Sequence, residues 1–186
     1  MTGSHRRLLS VIVSGAGPAA EIGTFIALAG QRNWSVQVIA TPAALAFLDP
    51  AEIEQQAGSP VKSEYGPPGS PRSQLPDAVV VAPATYNTIC KWAQGISDTY
   101  ALGVLAETTG LGIPVVVLPF VNTALAGRAP FRRAVESLRA EGVRILVGPG
   151  GVEPHPPRTG GNLTGSYPWA LALDEVDQVT GHVQSY

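Results

Sequence analysis

The stretch Ala78-Val79-Val80-Val81-Ala82-Pro83-Ala84-Thr85-Tyr86-Asn87-Thr88 constrains the fold more than any other. It opens after a Pro-Asp break as an apolar, β-branched run, the pattern of a strand covered on both faces. Pro83 is expected to end that run, because proline has no N–H to give to a sheet ladder. Small and hydroxylated residues follow, and a helical pattern opens at about Thr88 with Ile89, Trp92 and Ala93. Open α/β sheets place ligands where a strand end feeds a short loop and a helix N-terminus. The unpaired N–H groups of that helix start favour negative charge. An ordinary tight strand-to-helix turn carries the same pattern, so this stretch alone leaves both readings open.

The rest of the chain repeats the alternation. Leu8–Val13, Ser35–Ala40, Pro114–Leu118 and Val143–Val147 read as further buried strands. Helical patterns run from Ala19 to Gln31, with Ile22, Phe25, Ile26 and Ala29 on one face, and from Phe131 to Glu141, with Gly142 as cap. Shorter helices are expected at 43–48, 50–55 and 99–108, and a final one at 169–180. Strand–helix alternation of this kind predicts an α/β protein with a doubly wound, parallel, Rossmann-like (flavodoxin-like) sheet, in a single domain over residues 1–186. Two segments rich in Gly and Pro, 58–76 and 148–168, fit no regular element. Long irregular loops in compact domains are usually functional or mobile.

Two loops have the chemistry to hold phosphate. Ser14-Gly15-Ala16-Gly17-Pro18 follows the first strand, with glycines that admit close backbone approach and a proline suited to the first helical turn. The third glycine of the dinucleotide fingerprint is missing and no acidic residue ends the second strand, so a mononucleotide such as FMN fits better than NAD. Gly15, Ala16 and Gly17 are candidate cofactor residues, although a plain turn explains a bare Gly-x-Gly equally well. Thr41, directly after the second strand, offers a hydroxyl to a phosphate oxygen, or an N-cap, or both.

Composition narrows the partners. The 186 residues carry 12 Lys plus Arg against 14 Asp plus Glu with no basic run, which argues against a nucleic acid or an acidic membrane surface. The apolar run after His5-Arg6-Arg7 is too short for a secretion signal, and no run reaches membrane-spanning length. A single Cys makes neither an internal disulfide nor a Cys-based zinc site, so no metal is expected and a cytoplasmic location fits. Charged residues are only 14% of the chain, which suits either an oligomer with charge-poor interfaces or a biased genome.

Three motifs resemble the homo-oligomeric flavin-containing cysteine decarboxylases, the family of phosphopantothenoylcysteine decarboxylase and the epidermin-type peptidyl-cysteine decarboxylases. Pro83-Ala84-Thr85-Tyr86-Asn87-Thr88 is similar to the family's Pro-Ala-Ser-Ala-Asn-Thr loop, with Thr for Ser and Tyr for Ala. Gly95-Ile96-Ser97-Asp98-Thr99-Tyr100-Ala101-Leu102 resembles Gly-Ile-Cys-Asp-Asn-Leu-Leu-Thr. Pro119-Phe120-Val121-Asn122-Thr123-Ala124-Leu125-Ala126 resembles Pro-x-Met-Asn-x-x-Met-Trp, keeping the proline and the asparagine. The resemblance implies FMN contacts at Pro83, Ala84, Thr85, Asn87 and Asp98, and a carboxylate-binding, catalytic role for Asn122. The ordinary roles of Asp98 and Asn122 are helix cap and turn residue. The resemblance also implies a substrate-clamping flap over 148–168, where Arg158, Asn162, Ser166 and Tyr167 would meet substrate; an ordered crossover is the alternative. The family's catalytic histidine, about fourteen residues before the Pro-Ala-Ser loop, has no counterpart: that position is Gly69, and the histidines are His5, His155 and His182.

By that resemblance the reaction is FMN-dependent oxidative decarboxylation of a C-terminal cysteine. Phosphopantothenoylcysteine decarboxylases return the reducing equivalents through a flap cysteine, whereas peptidyl-cysteine decarboxylases stop at the enethiol. The flap here has no cysteine, which favours a ribosomally made peptide as substrate and an enethiol (aminovinyl-cysteine precursor) as product. A small-thiol decarboxylase and a flavin-binding protein without decarboxylase activity are the alternatives. The family also implies a homo-oligomer, a trimer or a dodecamer.

Overall fold

The computed structural model describes residues 6–71 and 73–183, the side chains of 182 and 183 excepted. Five strands form one parallel sheet: β1 Arg7–Val13, β2 Trp34–Ala40, β3 Ala78–Ala84, β4 Val115–Pro119 and β5 Arg144–Ile145, in the order β2-β1-β3-β4-β5. The helices are α1 Ile22–Gln31, α2 Pro50–Ala57, α3 Tyr86–Ala93, α4 Tyr100–Gly110, α5 Thr123–Ala126, α6 Ala129–Ala140 and α7 Trp169–Val183.

The alternation along each strand divides the core in two. Leu9, Val11, Val13, Val80 and Val116 pack with Phe25 and Ile26 of α1, Ile53 of α2 and Leu173 of α7. Ile12, Val79, Val81 and Val117 pack with Ile89 and Trp92 of α3, Leu105 of α4 and Leu138 of α6. Helices therefore cover both faces, and every residue of β3 is buried, as the apolar run requires. The fold class expected from the sequence holds. This strand order reverses direction beside β1 and β3, so their C-terminal ends frame the crevice where such sheets bind ligands.

Several boundaries differ from expectation. Pro83 does not end β3, which runs on to Ala84; the Ala82–Pro83 peptide is cis, and the β3–β4 register shifts between Val81 and Ala84. An irregular pairing is where a sheet tolerates a residue without an N–H. Helix α3 starts at Tyr86, before Thr88, because the Thr85 hydroxyl accepts the Thr88 N–H and caps it. The pattern from Ala19 begins as a 3-10 turn at Gly17–Glu21, and the expected helix at 43–48 is a 3-10 turn, Ala44–Phe47. Strand β5 keeps two residues, and Val147 pairs with Val152 of the crossover instead. Loop 58–76 is irregular, but Lys62 exchanges backbone bonds with Val38 and Ala40 and so protects the free edge of β2.

Candidate functional site

The loops after β1, β2, β3 and β4 gather at the C-terminal edge of the sheet. After β1, the Ser14 N–H donates to the Pro83 carbonyl at 3.1 Å, tying the first loop to β3. The buried Ser14 hydroxyl lies 2.9 Å from that of Thr88, which lies 3.1 Å from that of Thr85. A chain of three hydroxyls thus spans the switch point between β1 and β3. The backbone N–H groups of Gly15, Ala16 and Gly17 donate to no acceptor among the described residues. They precede the 3-10 turn at Gly17–Glu21, a backbone arrangement suited to an anion.

Thr41 completes this corner. Its backbone N–H donates to the Val13 carbonyl at 2.9 Å, holding the β2 exit against the β1 exit. Its side chain caps nothing; Oγ1 is buried and has no hydrogen-bond partner among the described residues. Leaving a buried hydroxyl unpaired costs about 1–3 kcal/mol. An unpaired hydroxyl beside three unclaimed N–H groups fits the lone phosphate of a mononucleotide. The first loop is held closely in place: a Cβ added at Gly15 would stand 2.8 Å from the Ala43 carbonyl oxygen and 2.9 Å from its carbon. Gly15→Ala is therefore expected to destabilise the fold by about 1–3 kcal/mol through overpacking against backbone. The thermal midpoint should fall by about 2–4 °C per kcal/mol; an unchanged midpoint would mean the loop is slack.

After β4, the Asn122 Oδ1 accepts the Leu125 N–H at 3.0 Å and caps α5, a short helix absent from the sequence reading. The acceptor end is committed to the cap, while the two NH2 donors make no hydrogen bond among the described residues. The cap and a carboxylate-binding role are thus compatible.

The crossover 148–168 is pinned down along its length. Val147 pairs with Val152, and His155 pairs with Asn122 in a parallel bridge: the His155 N–H donates to Val121 O at 3.2 Å, and the Thr123 N–H donates to His155 O at 2.8 Å. Further on, the 3-10 turn Gly160–Ser166 lies against the first loop, where a Cβ on Gly17 would come within 2.6 Å of the Thr164 methyl. The crossover thus runs from β5 over the β4 exit to the β1 exit, as an ordered strap.

The expected site residues divide accordingly. Gly15, Ala16, Gly17, Thr41, Thr85 and Asn122 line the sheet's C-terminal edge, and Asn87 is exposed on the first turn of α3. Pro83 and Ala84 are buried within β3, so any ligand they meet is met by backbone. Asp98 is not the cap of α4; Thr99 is, accepting the Leu102 N–H, while the exposed Asp98 pairs with Lys91 at 2.5 Å. Arg158, at φ 68°, and Asn162 are exposed on the strap. Tyr167 is corrected from substrate contact to core: it is 6% exposed and its hydroxyl donates to Leu118 O. Burial pushes its phenol well above the ordinary range, so it stays neutral and holds β4 through that bond. His5 and the His182 side chain lie outside the described residues.

Sequence reasoning missed Arg128, whose guanidinium donates to the Tyr86 hydroxyl at 3.1 Å and joins the start of α3 to the start of α6. The contact spans 42 positions and has no local signal. Cys90, on α3, is half-buried. Burial raises its thiol, against smaller lowering by a bond to Tyr86 and by the Arg128 charge.

A 2-1-3-4-5 parallel sheet with an anion-ready loop at its switch point defines a mononucleotide-binding α/β protein. The family model described as Flavoprotein matches residues 2–161, and the chain belongs to that family. The coenzyme A biosynthesis bifunctional protein CoaBC of Mycobacterium tuberculosis (strain H37Rv) is 29% identical over 184 residues, covering 95% of this chain and 41% of the relative. The chain therefore spans less than half the length of that relative. Among solved structures, the cypemycin decarboxylase CypD is similar at 25% identity and TM-score 0.69, over 98% of this chain and 97% of that one. The FMN-dependent cysteine decarboxylase SpaF is similar at 27% identity and TM-score 0.64, over 77% and 84%. Both of these solved structures are described as decarboxylases, in line with the resemblance of the three motifs. The chain is thus a flavoprotein whose fold is similar to that of these decarboxylases.

Proposed function

We propose that the chain is an FMN-dependent decarboxylase that acts on the C-terminal cysteine of a ribosomally made peptide and releases an enethiol. The observation that carries this reading is the Asn122 amide, fixed by its cap, on the same sheet edge as the unpaired Thr41 hydroxyl. Thr41 and the N–H groups of residues 15–17 would hold the FMN phosphate, beside the linked hydroxyls of Ser14, Thr88 and Thr85. Bound FMN supplies a two-electron oxidation of the substrate's Cβ–S unit. The Asn122 NH2 holds the α-carboxylate without adding a charge that would repel it. Once the sulfur-bearing carbon is a thioaldehyde, it accepts the electrons released as that carboxylate leaves as CO2. The strap from 148 to 168, with Arg158 and Asn162 exposed on it, meets the rest of the peptide.

The lack of a cysteine in the strap supports the enethiol product, and Cys90, partly buried with a raised thiol, is poorly suited to return electrons. A small-thiol substrate of the phosphopantothenoylcysteine type is the second reading, supported by the likeness to CoaBC across nearly the whole chain. Mass spectrometry of each candidate incubated with the FMN-loaded protein separates them. A cysteine-ending peptide that loses CO2 and two hydrogens supports the first reading; a small thiol that loses CO2 alone supports the second. No mass change would leave a flavin-binding protein without decarboxylase activity. A homo-oligomer, trimer or dodecamer, belongs to the same proposal, and sedimentation as a monomer would oppose it. Among the described residues, no helix is long and apolar enough to cross a membrane.

A further inference from the structure

We propose that His155 is the base of this reaction, delivered to the site from the strap. The inference rests on the decarboxylase reading above. Oxidising a thiol-bearing carbon to a thioaldehyde releases the thiol proton, so the site needs a group to receive it, and the enethiolate left by CO2 needs one back. His155 has the chemistry and the position. Its backbone bonds to Val121 and Thr123 bracket Asn122 on both sides. Residues opposed in a parallel bridge project to the same side, so the imidazole and the Asn122 amide share a face. The ring packs on Phe120 with centroids 4.8 Å apart, and Phe120 lies two residues before Asn122, on that same face. Gly160 leaves room for the ring: a Cβ there would stand 3.0 Å from His155 Cε1 and 3.2 Å from Nε2.

The remaining bond sets the tautomer. His155 Nδ1 lies 2.9 Å from the Pro156 carbonyl, which can only accept, so a neutral imidazole carries its proton on Nδ1. Nε2 makes no hydrogen bond to the described residues and keeps its lone pair for a substrate proton. The balance closes with one proton and one electron pair. The thiol proton would move to Nε2 as the two-electron oxidation that bound FMN would supply turns the thiol-bearing carbon into C=S. Loss of CO2 then gives the enethiolate, and Nε2 returns the proton to sulfur.

The test uses His155→Gln, which keeps a planar polar side chain but supplies no base, and His155→Ala. Both variants are expected to bind FMN within about twofold of wild type and to lose at least about 100-fold in kcat, the lower range for a general base. Added imidazole should partly restore His155→Ala, as it would not for a residue that only packs. A second readout needs neither flavin nor turnover. A cysteine-ending peptide added to FMN-free wild type should show ultraviolet thiolate absorbance, and the same peptide with either variant should not. Variants that keep kcat, or that form the thiolate as wild type does, would overturn the assignment. If wild type processes neither peptide nor small thiol, the decarboxylase reading fails, while the thiolate measurement still decides His155.

Discussion

Asn122→Asp is expected to abolish turnover while leaving the fold and FMN affinity intact. Aspartate caps helices as well as asparagine does, so the bond to the Leu125 N–H survives and α5 keeps its start. The NH2 is replaced by a carboxylate oxygen. That removes a hydrogen bond to a charged group, worth about 1.5–3 kcal/mol. It also sets two negative charges together, which at about 4 Å and a surface-like dielectric repel by about 4 kcal/mol. Together these predict a fall in kcat/KM of more than about 1,000-fold, read with the substrate that wild type processes. Asn122→Ala should lose activity too, and in addition about 1 kcal/mol of stability from the missing cap. An Asn122→Asp variant as active as wild type would show that no carboxylate meets this amide.

Thr41→Val should separate stability from cofactor binding in opposite directions. The Thr41 Oγ1 is buried without a partner among the described residues. Exchanging it for a methyl group removes an unmet desolvation cost of about 1–3 kcal/mol at nearly constant volume. The flavin-free variant should therefore melt at or above the wild-type temperature. The FMN-loaded variant loses one hydrogen bond to a charged phosphate, about 1.5–3 kcal/mol, so its affinity should drop roughly 10- to 100-fold. Calorimetric melting of the FMN-free protein and an FMN titration measure the two effects. A variant that melts lower and binds FMN normally would place the phosphate elsewhere.

How much of this was legible in the sequence depended on how local each cause is. The buried strands and their alternation with helices follow from apolar runs that only a covered parallel sheet accommodates, and Ile22, Phe25, Ile26 and Ala29 do form the buried face of α1. The candidate loops were legible because each directly follows a strand. Pro83 is the exception: the rule that proline leaves a ladder is local, whereas the register shift that accommodates it belongs to the pairing with β4. The cap of α5 was readable in principle, since Asn122 stands three residues before Leu125, but a four-residue helix has no periodicity to announce it. Tyr167 shows the opposite limit. A tyrosine in a glycine-rich segment reads as surface, and only the return of the strap across β4 buries it. The pairing of His155 with Asn122, 33 positions apart by their numbers, is likewise a product of the strap's path and of nothing local.

By the proposed function, the exits of β1 and β2 bind the phosphate of a flavin mononucleotide. Titrating the FMN-free protein with FMN and with riboflavin, which lacks only that phosphate, tests it most directly through quenching of flavin fluorescence. FMN is expected to bind at least about 100-fold more tightly than riboflavin, the worth of two or more charge-assisted hydrogen bonds. Equal affinities, or a protein that takes up neither, would contradict the account.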